Sequence, residues 1–136
     1  MKQLSILLIE DDVIEVMKFK RTIATLNLSH KIVEANNGLQ ALDILNNKDY
    51  LPNIILLDLN MPMLNGVDFL TIIKNDKTLK YIPTIIFTTS NNQKDFKECY
   101  KNGIAGYMLK PLKYKDYVIR IKQILSYWSF NEQLVI

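Results

Sequence analysis

Residues 54–57, Ile-Ile-Leu-Leu, form an unbroken apolar run fenced by Pro52-Asn53 on one side and Met61-Pro62 on the other. Four residues are too few for a membrane span and too few for a helix that could stand on its own. A short apolar run without alternation reads as a strand buried on both faces, as in the middle of a parallel sheet. The run ends in Asp58. Open α/β sheets carry their chemistry at the carboxyl ends of central strands, which makes Asp58 a candidate functional residue. Asp and Asn are also common turn and cap residues, and with Asn60 and Pro62 close by, this stretch alone leaves both readings open.

The rest of the chain fits such a sheet. Residues 4–9 are an Ile/Leu-rich strand ending in Glu10-Asp11-Asp12. From Val13 the period becomes helical, with Val16, Phe19, Ile23 and Leu26 apolar and Asp12 placed to cap the helix and oppose its macrodipole. Residues 30–35 alternate as a strand does, Asn36-Asn37-Gly38 is a turn, and residues 39–45 give a second helix with Leu39, Leu42 and Leu45 on its apolar side. Asn65-Gly66 leads into a third helix, and residues 82–87 are another buried strand, running into Thr88. A fourth helix over about residues 93–101 stops at Asn102-Gly103. Residues 106–109 form a last strand before Lys110-Pro111, and Tyr114, Tyr117, Val118, Ile121, Ile124, Leu125 and Trp128 mark the final helix. Five strands alternating with five helices, joined by right-handed crossovers, predict a doubly wound, three-layer α/β fold with a parallel sheet. A chain of 136 residues suits one domain over residues 1–136, with no output domain expected beyond the final helix.

Composition narrows the function classes. The 17 basic and 14 acidic residues are interleaved, so the net charge of +3 describes a solvated surface and gives no basic block for nucleic acid. The single cysteine, Cys99, excludes an internal disulfide framework and a cysteine metal cluster, and a reduced cytoplasmic chain fits best. The first apolar run is too brief for a signal peptide, and nothing approaches a transmembrane length. His30 opens a strand far from the acidic edge and reads as structural. Phe130 and Leu134-Val135-Ile136 are apolar where a tail is normally polar, which suits a surface that pairs with a partner, a second copy of the chain included.

In a parallel sheet all carboxyl ends lie along one rim, where Glu10, Asp11, Asp58, Thr88 and Lys110 would gather. If the first and third strands are neighbours, three carboxylates converge in one crevice. That concentration of negative charge calls for a cation. Hard oxygen ligands with free positions favour Mg²⁺, which keeps waters and binds phosphate oxygens. Carboxylates, divalent metal, ammonium and hydroxyl are together what an in-line phosphoryl transfer onto Asp58 needs. Taken singly, Glu10-Asp11 also suit a helix start, Thr88 a cap, and Tyr107 a plain core aromatic.

With these residues in this order the sequence resembles the receiver domain of two-component response regulators, over residues 6 to about 128. The resemblance rests on Glu10-Asp11, on Asp58 within Asp-Leu-Asn-Met-Pro, on Thr88 after a buried strand, and on Tyr107-Met-Leu-Lys110-Pro111. Each fragment is weak alone and the conjunction is specific. The resemblance implies a flavodoxin-like sheet of strand order 2-1-3-4-5. It implies that Asp58 accepts a phosphoryl group from a phosphohistidine of a histidine kinase or a histidine phosphotransfer protein. Asp11 and Asp58 would bind Mg²⁺ by side chain and Asn60 by its carbonyl, with Glu10 holding a metal-bound water. Thr88 and Lys110 would contact the phosphoryl oxygens, Tyr107 would be an aromatic switch, and the Lys110-Pro111 bond would be cis. Signalling would pass through the face made by the fourth helix, fifth strand and fifth helix, which would bind a target or a twin copy. Such a domain is not an ordinary enzyme: it promotes only its own phosphorylation and dephosphorylation. Thr89 departs from the family, where Ala or Gly is common, and a β-branched residue there narrows access to the phosphoryl group. The chain's ending is also similar to that of stand-alone receivers associated with phytochrome-type kinases.

Three competitors remain. A non-phosphorylated pseudo-receiver would be a pure interaction module, against which the intact Glu10, Asp11, Asp58, Thr88 and Lys110 set speaks. A phosphatase with an aspartyl-phosphate intermediate would carry a second aspartate two residues after the nucleophile, where this chain has Asn60. A flavin carrier would need a Ser/Thr/Gly-rich phosphate loop after the first strand, and Glu10-Asp11-Asp12 stands there instead.

Overall fold

In the computed structural model, residues 2–47 and 49–135 are described; Ile136, the last of the apolar ending, lies outside them. The elements run β1 (Ser5–Ile9), α1 (Val13–Thr25), β2 (Lys31–Ala35), α2 (Gly38–Leu45), β3 (Ile54–Leu57), α3 (Gly66–Lys74), a single 3-10 turn (Leu79–Tyr81), β4 (Thr84–Thr88), α4 (Gln93–Lys101), β5 (Gly106–Leu109) and α5 (Tyr114–Phe130). All four strand pairings are parallel, and the sheet order is β2-β1-β3-β4-β5. This is the doubly wound, flavodoxin-like arrangement, with its topological crossover between β1 and β3.

Alternation along each strand sends side chains to two cores. Leu7, Ile9, Ile55, Leu57 and Ile86 face α2, α3 and α4, where they meet Ala41, Phe69, Leu70, Ile73 and Cys99. Ile6, Leu8, Ile54, Leu56 and Phe87 face α1 and α5, where they meet Phe19, Ile23, Tyr117, Ile121 and Leu125. All four residues of β3 are completely buried, which is why the sequence shows no alternation there. Each fully buried Leu or Ile of this kind contributes about 2–3 kcal/mol against leaving it in water.

Four helices open on a side-chain cap. Asp12 accepts from Ile14 N at 2.9 Å, Asn37 from Gln40 N at 2.8 Å, Asn65 from Asp68 N at 2.9 Å and Asn92 from Lys94 N at 2.8 Å. α4 stops at Asn102, and Gly103 follows with φ +83°, the left-handed residue that such an ending requires.

Some expectations are corrected. β4 begins at Thr84 and not at residue 82, because the 3-10 turn carries the chain to Ile82-Pro83 before pairing starts. Leu39 is exposed while Ala41 and Leu45 are buried, so the core stripe of α2 is rotated from the expected one. The Lys110-Pro111 bond is trans, since the described residues contain no cis peptide bond. That is the ordinary preference of an X-Pro bond, which the resemblance had set aside. No helix among the described residues is long and apolar enough to cross a membrane.

Candidate functional site

Strand register builds the site. Ile9 pairs with Leu57, so β1 and β3 end level and the residues that follow stand side by side. The ladder runs one step past the strands: Asp58 N donates to Ile9 O at 3.0 Å, Glu10 N to Ala35 O at 3.0 Å and Lys110 N to Thr88 O at 2.8 Å. The backbone thereby fixes Glu10, Asp58 and Lys110 on one rim. Gly66 holds the loop after β3 from behind. A Cβ there would lie 2.6 Å from Asp58 O and 2.7 Å from Leu59 Cα, so only glycine lets α3 start this close to the strand end.

Glu10 and Asp58 are 5% and 8% exposed, unusual depths for carboxylates. One carboxylate oxygen from each of Glu10, Asp11 and Asp58 lies within 4.8 Å of the others. Lys110, whose side chain is also nearly covered, donates from Nζ to Glu10 Oε1 and stands 4.0 Å from Asp58 Oδ1. Burial pushes the Glu10 carboxyl up to about 7, with the charge of Asp58 adding to the effect and Lys110 opposing it. For Lys110, burial disfavours the charge. The bond to Glu10 and the charges of Glu10, Asp58 and Glu15 outweigh that, and its pKa stands above the ordinary value. Three oxygen donors on two adjacent strand ends, one exposed and two buried, fit a hard divalent cation better than they fit one another.

Thr88 is fully buried at the end of β4, and its Oγ1 accepts from Ser90 N at 3.4 Å. Tyr107, half-buried on β5, donates its hydroxyl to Ser90 O at 2.9 Å and packs on Phe96 of α4 edge-to-face, with centroids 4.4 Å apart. Thr88 and Tyr107 thus meet through one residue, Ser90, whose own hydroxyl lies 2.6 Å from Asp95 Oδ2 at the start of α4. Asn60 is exposed, at the lip of a groove between α3 and α4 that Asn65 and Lys94 also line. Thr89 is exposed as well.

Sequence reasoning missed Glu15. From α1 it brings Oε1 to 3.6 Å from Lys110 Nζ, a third carboxylate around the same ammonium after Glu10 and Asp58. It also missed a set of exposed apolar side chains on this rim: Val13, Ile14 and Met17 on the first turns of α1, Met63 after β3 and Leu112 just beyond Pro111. His30 lies at the other rim, where Nδ1 accepts from Leu4 N at 2.9 Å. Cys99 is buried in α4.

The family profile described as response regulator receiver domain matches residues 6–122. The probable methanogenesis regulatory protein FilR2 of Methanothrix harundinacea is 33% identical over 127 residues, 90% of this chain and 82% of that protein. Response regulator Rcp1 of Synechocystis sp. is 32% identical over 128 residues, 90% of this chain and 87% of that one. Among solved structures, the phosphorylated cyanobacterial phytochrome response regulator RcpA superposes with a TM-score of 0.91 at 28% identity, over 98% of this chain and 99% of that one. The Mn²⁺-bound form of response regulator Rcp1 gives a TM-score of 0.87 at 31% identity, over the same shares.

Proposed function

The chain belongs to the response regulator receiver family, and from that premise we propose that it accepts a phosphoryl group on Asp58 and signals by the resulting change of shape. The observation that carries this reading is a nearly buried Asp58 beside Glu10 and Asp11, with Lys110 Nζ 4.0 Å away. Mg²⁺ is the proposed cofactor: Asp11, Asp58 and the Asn60 carbonyl would hold it, Glu10 would hold a water of that site, and the chemistry supplied would be positive charge against the transferred oxygens.

The donor is a phosphohistidine of a kinase or a histidine phosphotransfer protein, in the cytoplasm. An Asp58 carboxylate oxygen attacks phosphorus, the P–N bond breaks, and its electron pair stays on the imidazole of the donor. Lys110 pairs with the incoming phosphoryl charge and Thr88 donates its hydroxyl to a phosphoryl oxygen. The exposed apolar side chains of Val13, Ile14, Met17 and Leu112 ring the same rim and suit an amphipathic helix that carries the donor histidine. Recruitment of Thr88 gives up its contact with Ser90 N, and Tyr107 is tied to the same residue, so the change passes to α4, β5 and α5. That face exposes Tyr100, Leu109, Ile119 and Tyr127, which suits a protein target or a second copy. Leu134 and Val135 offer the copy a further contact. Neither nucleic acid nor a membrane is among the proposed partners.

Incubation with acetyl phosphate and Mg²⁺ tests the reading. The intact mass should rise by one phosphoryl group that acid or hydroxylamine removes, and Asp58→Asn or a chelator should abolish the gain. A wild-type chain that stays unmodified, while folded and supplied with metal, is a pseudo-receiver and acts by binding alone.

A further inference from the structure

Lys110 reaches its carboxylates unequally. Its Nζ touches Glu10 and lies 3.6 Å from Glu15 Oε1 and 4.0 Å from Asp58 Oδ1. Glu10 and Asp58 belong to the acidic trio, whereas Glu15 sits on α1 outside it. The other oxygen of Glu15 is 3.5 Å from Lys18 Nζ, and that ammonium lies 4.3 Å over the Tyr117 ring. Glu15 is therefore anchored from behind by a cation that is itself seated on an aromatic face. With two of its oxygens on two cations, it pulls Lys110 toward α1.

The balance matters because a flexible ammonium settles among the charges around it. Without Glu15, the remaining partners of Lys110 are Glu10 and Asp58. An ammonium drawn fully onto Asp58 would occupy the oxygen that must bind a cation and attack phosphorus. We propose that Glu15 is a positioning residue that holds Lys110 off Asp58 until a phosphoryl group arrives. The doubly charged phosphoryl group then outbids a single carboxylate, and Lys110 crosses to it. This inference rests on the reading of Asp58 as phosphoacceptor.

The test is the affinity of the full chain for Mn²⁺, read from the free-ion signal in electron paramagnetic resonance, with no phosphoryl donor present. Glu15→Gln should weaken binding by about five-fold, as Lys110 closes on Asp58. Lys110→Met should tighten binding, and adding Glu15→Gln to it should change affinity by less than about two-fold, because the residue acts through the lysine. Glu15→Asp keeps the charge but shortens the reach, and should weaken binding nearly as much as Glu15→Gln; this arm needs no change at Lys110. An unchanged affinity in Glu15→Gln, or an equal loss in the Lys110→Met background, overturns the proposal and leaves Glu15 as a bystander or a bare charge. A folded wild-type chain that binds no Mn²⁺ overturns the reading of the acidic trio itself.

Discussion

Two lysines at opposite rims of the sheet are covered by protein and behave in opposite ways. Lys74, at the end of α3, donates from Nζ to Lys80 O at 3.1 Å and Ile82 O at 2.9 Å, and burial lowers its pKa. Lys110 meets carboxylates instead, and its pKa rises although burial alone would lower it. Burial is common to both, so the partners decide. Lys74 supplies the donor to Lys80 O and shares Ile82 O with the Thr84 hydroxyl, so its charge is met by carbonyl oxygens. Around Lys110, Glu10, Glu15 and Asp58 share one ammonium, with Asp11 close by, and the surplus is negative. The amino-terminal rim repeats the first pattern: His30 accepts from Leu4 N at 2.9 Å and Asn53 Oδ1 from Ser5 N at 2.6 Å. At the amino-terminal rim the charge is met by neutral acceptors, although His30 Nε2 and the Tyr50 hydroxyl are buried without a partner among the described residues, whereas the opposite rim carries a surplus of negative charge.

Replacing the two lysines sharpens the contrast most. Lys110→Met strands Glu10 beside Asp58, and breaking a buried pair from one side is among the larger single-residue losses. Because Glu10, already held near 7, can take up a proton, the expected loss is about 2–3 kcal/mol. Millimolar Mg²⁺ should restore much of it. Lys74→Met leaves Lys80 O without its donor and Ile82 O with only the Thr84 hydroxyl at 3.3 Å, and should lose about 1 kcal/mol, with no response to Mg²⁺. Urea unfolding with and without the cation measures both. If the two variants lose the same amount and neither responds to Mg²⁺, the rims do not differ in kind.

Removing a carboxylate should have the opposite sign. In chelated buffer Asp58→Asn relieves the repulsion with Glu10 while keeping the shape of the side chain, and should stabilise the chain by about 1 kcal/mol. Saturating Mg²⁺ should erase that advantage, since the wild-type chain gains more from the cation. An Asp58→Asn chain less stable than wild type in chelated buffer would mean that Lys110 already balances the trio.

These contrasts mark what could be read from sequence. The run Ile54–Leu57 announced a doubly buried strand because the fully covered β3 leaves no polar face to write in. The cap at Asp12 and the stop at Asn102-Gly103 were legible because they satisfy local backbone groups, whereas Asn37 and Asn65 read only as a turn and a helix approach and prove to be caps as well. The acidic residues could be gathered on one rim because parallel strands end together, while their convergence depended on β1 and β3 being neighbours, which the pairing of Ile9 with Leu57 shows. Glu15 was not seen, although a signal for it existed. It stands four residues before the buried Phe19, on the same stripe of α1, where that stripe leaves the core and reaches the rim. An acid on a core-facing stripe is a better pointer than one on a solvent face. The exposure of Leu39 and the 3-10 turn before β4 depend on how α2 and α3 seat against the sheet, which periodicity does not encode.

The smallest expected effect tests the amino-terminal rim. His30, the one histidine in the sequence, holds its pKa below 6.5 through burial, and its Nδ1 accepts from Leu4 N. Protonation would turn that acceptor into a donor aimed at another donor. Below 6.5 the unfolded chain binds the proton more readily than the folded one, so stability from this residue falls as pH drops through that value. Glu10 acts with the opposite sign: raised to about 7 from 4.5, it takes its proton first in the folded state, and acidification across that range stabilises the fold. The two rims therefore mask each other in a single pH curve, and a difference separates them. His30→Asn keeps an acceptor near the position of Nδ1 without titrating there. Relative to that variant, wild type in chelated buffer should lose about 0.5 kcal/mol between neutral pH and about pH 5, the worth of one partly exposed hydrogen bond. A pH-independent difference between the two proteins would show that His30 accepts its proton in the fold as easily as outside it, and that its bond from Leu4 N does not hold the ring neutral.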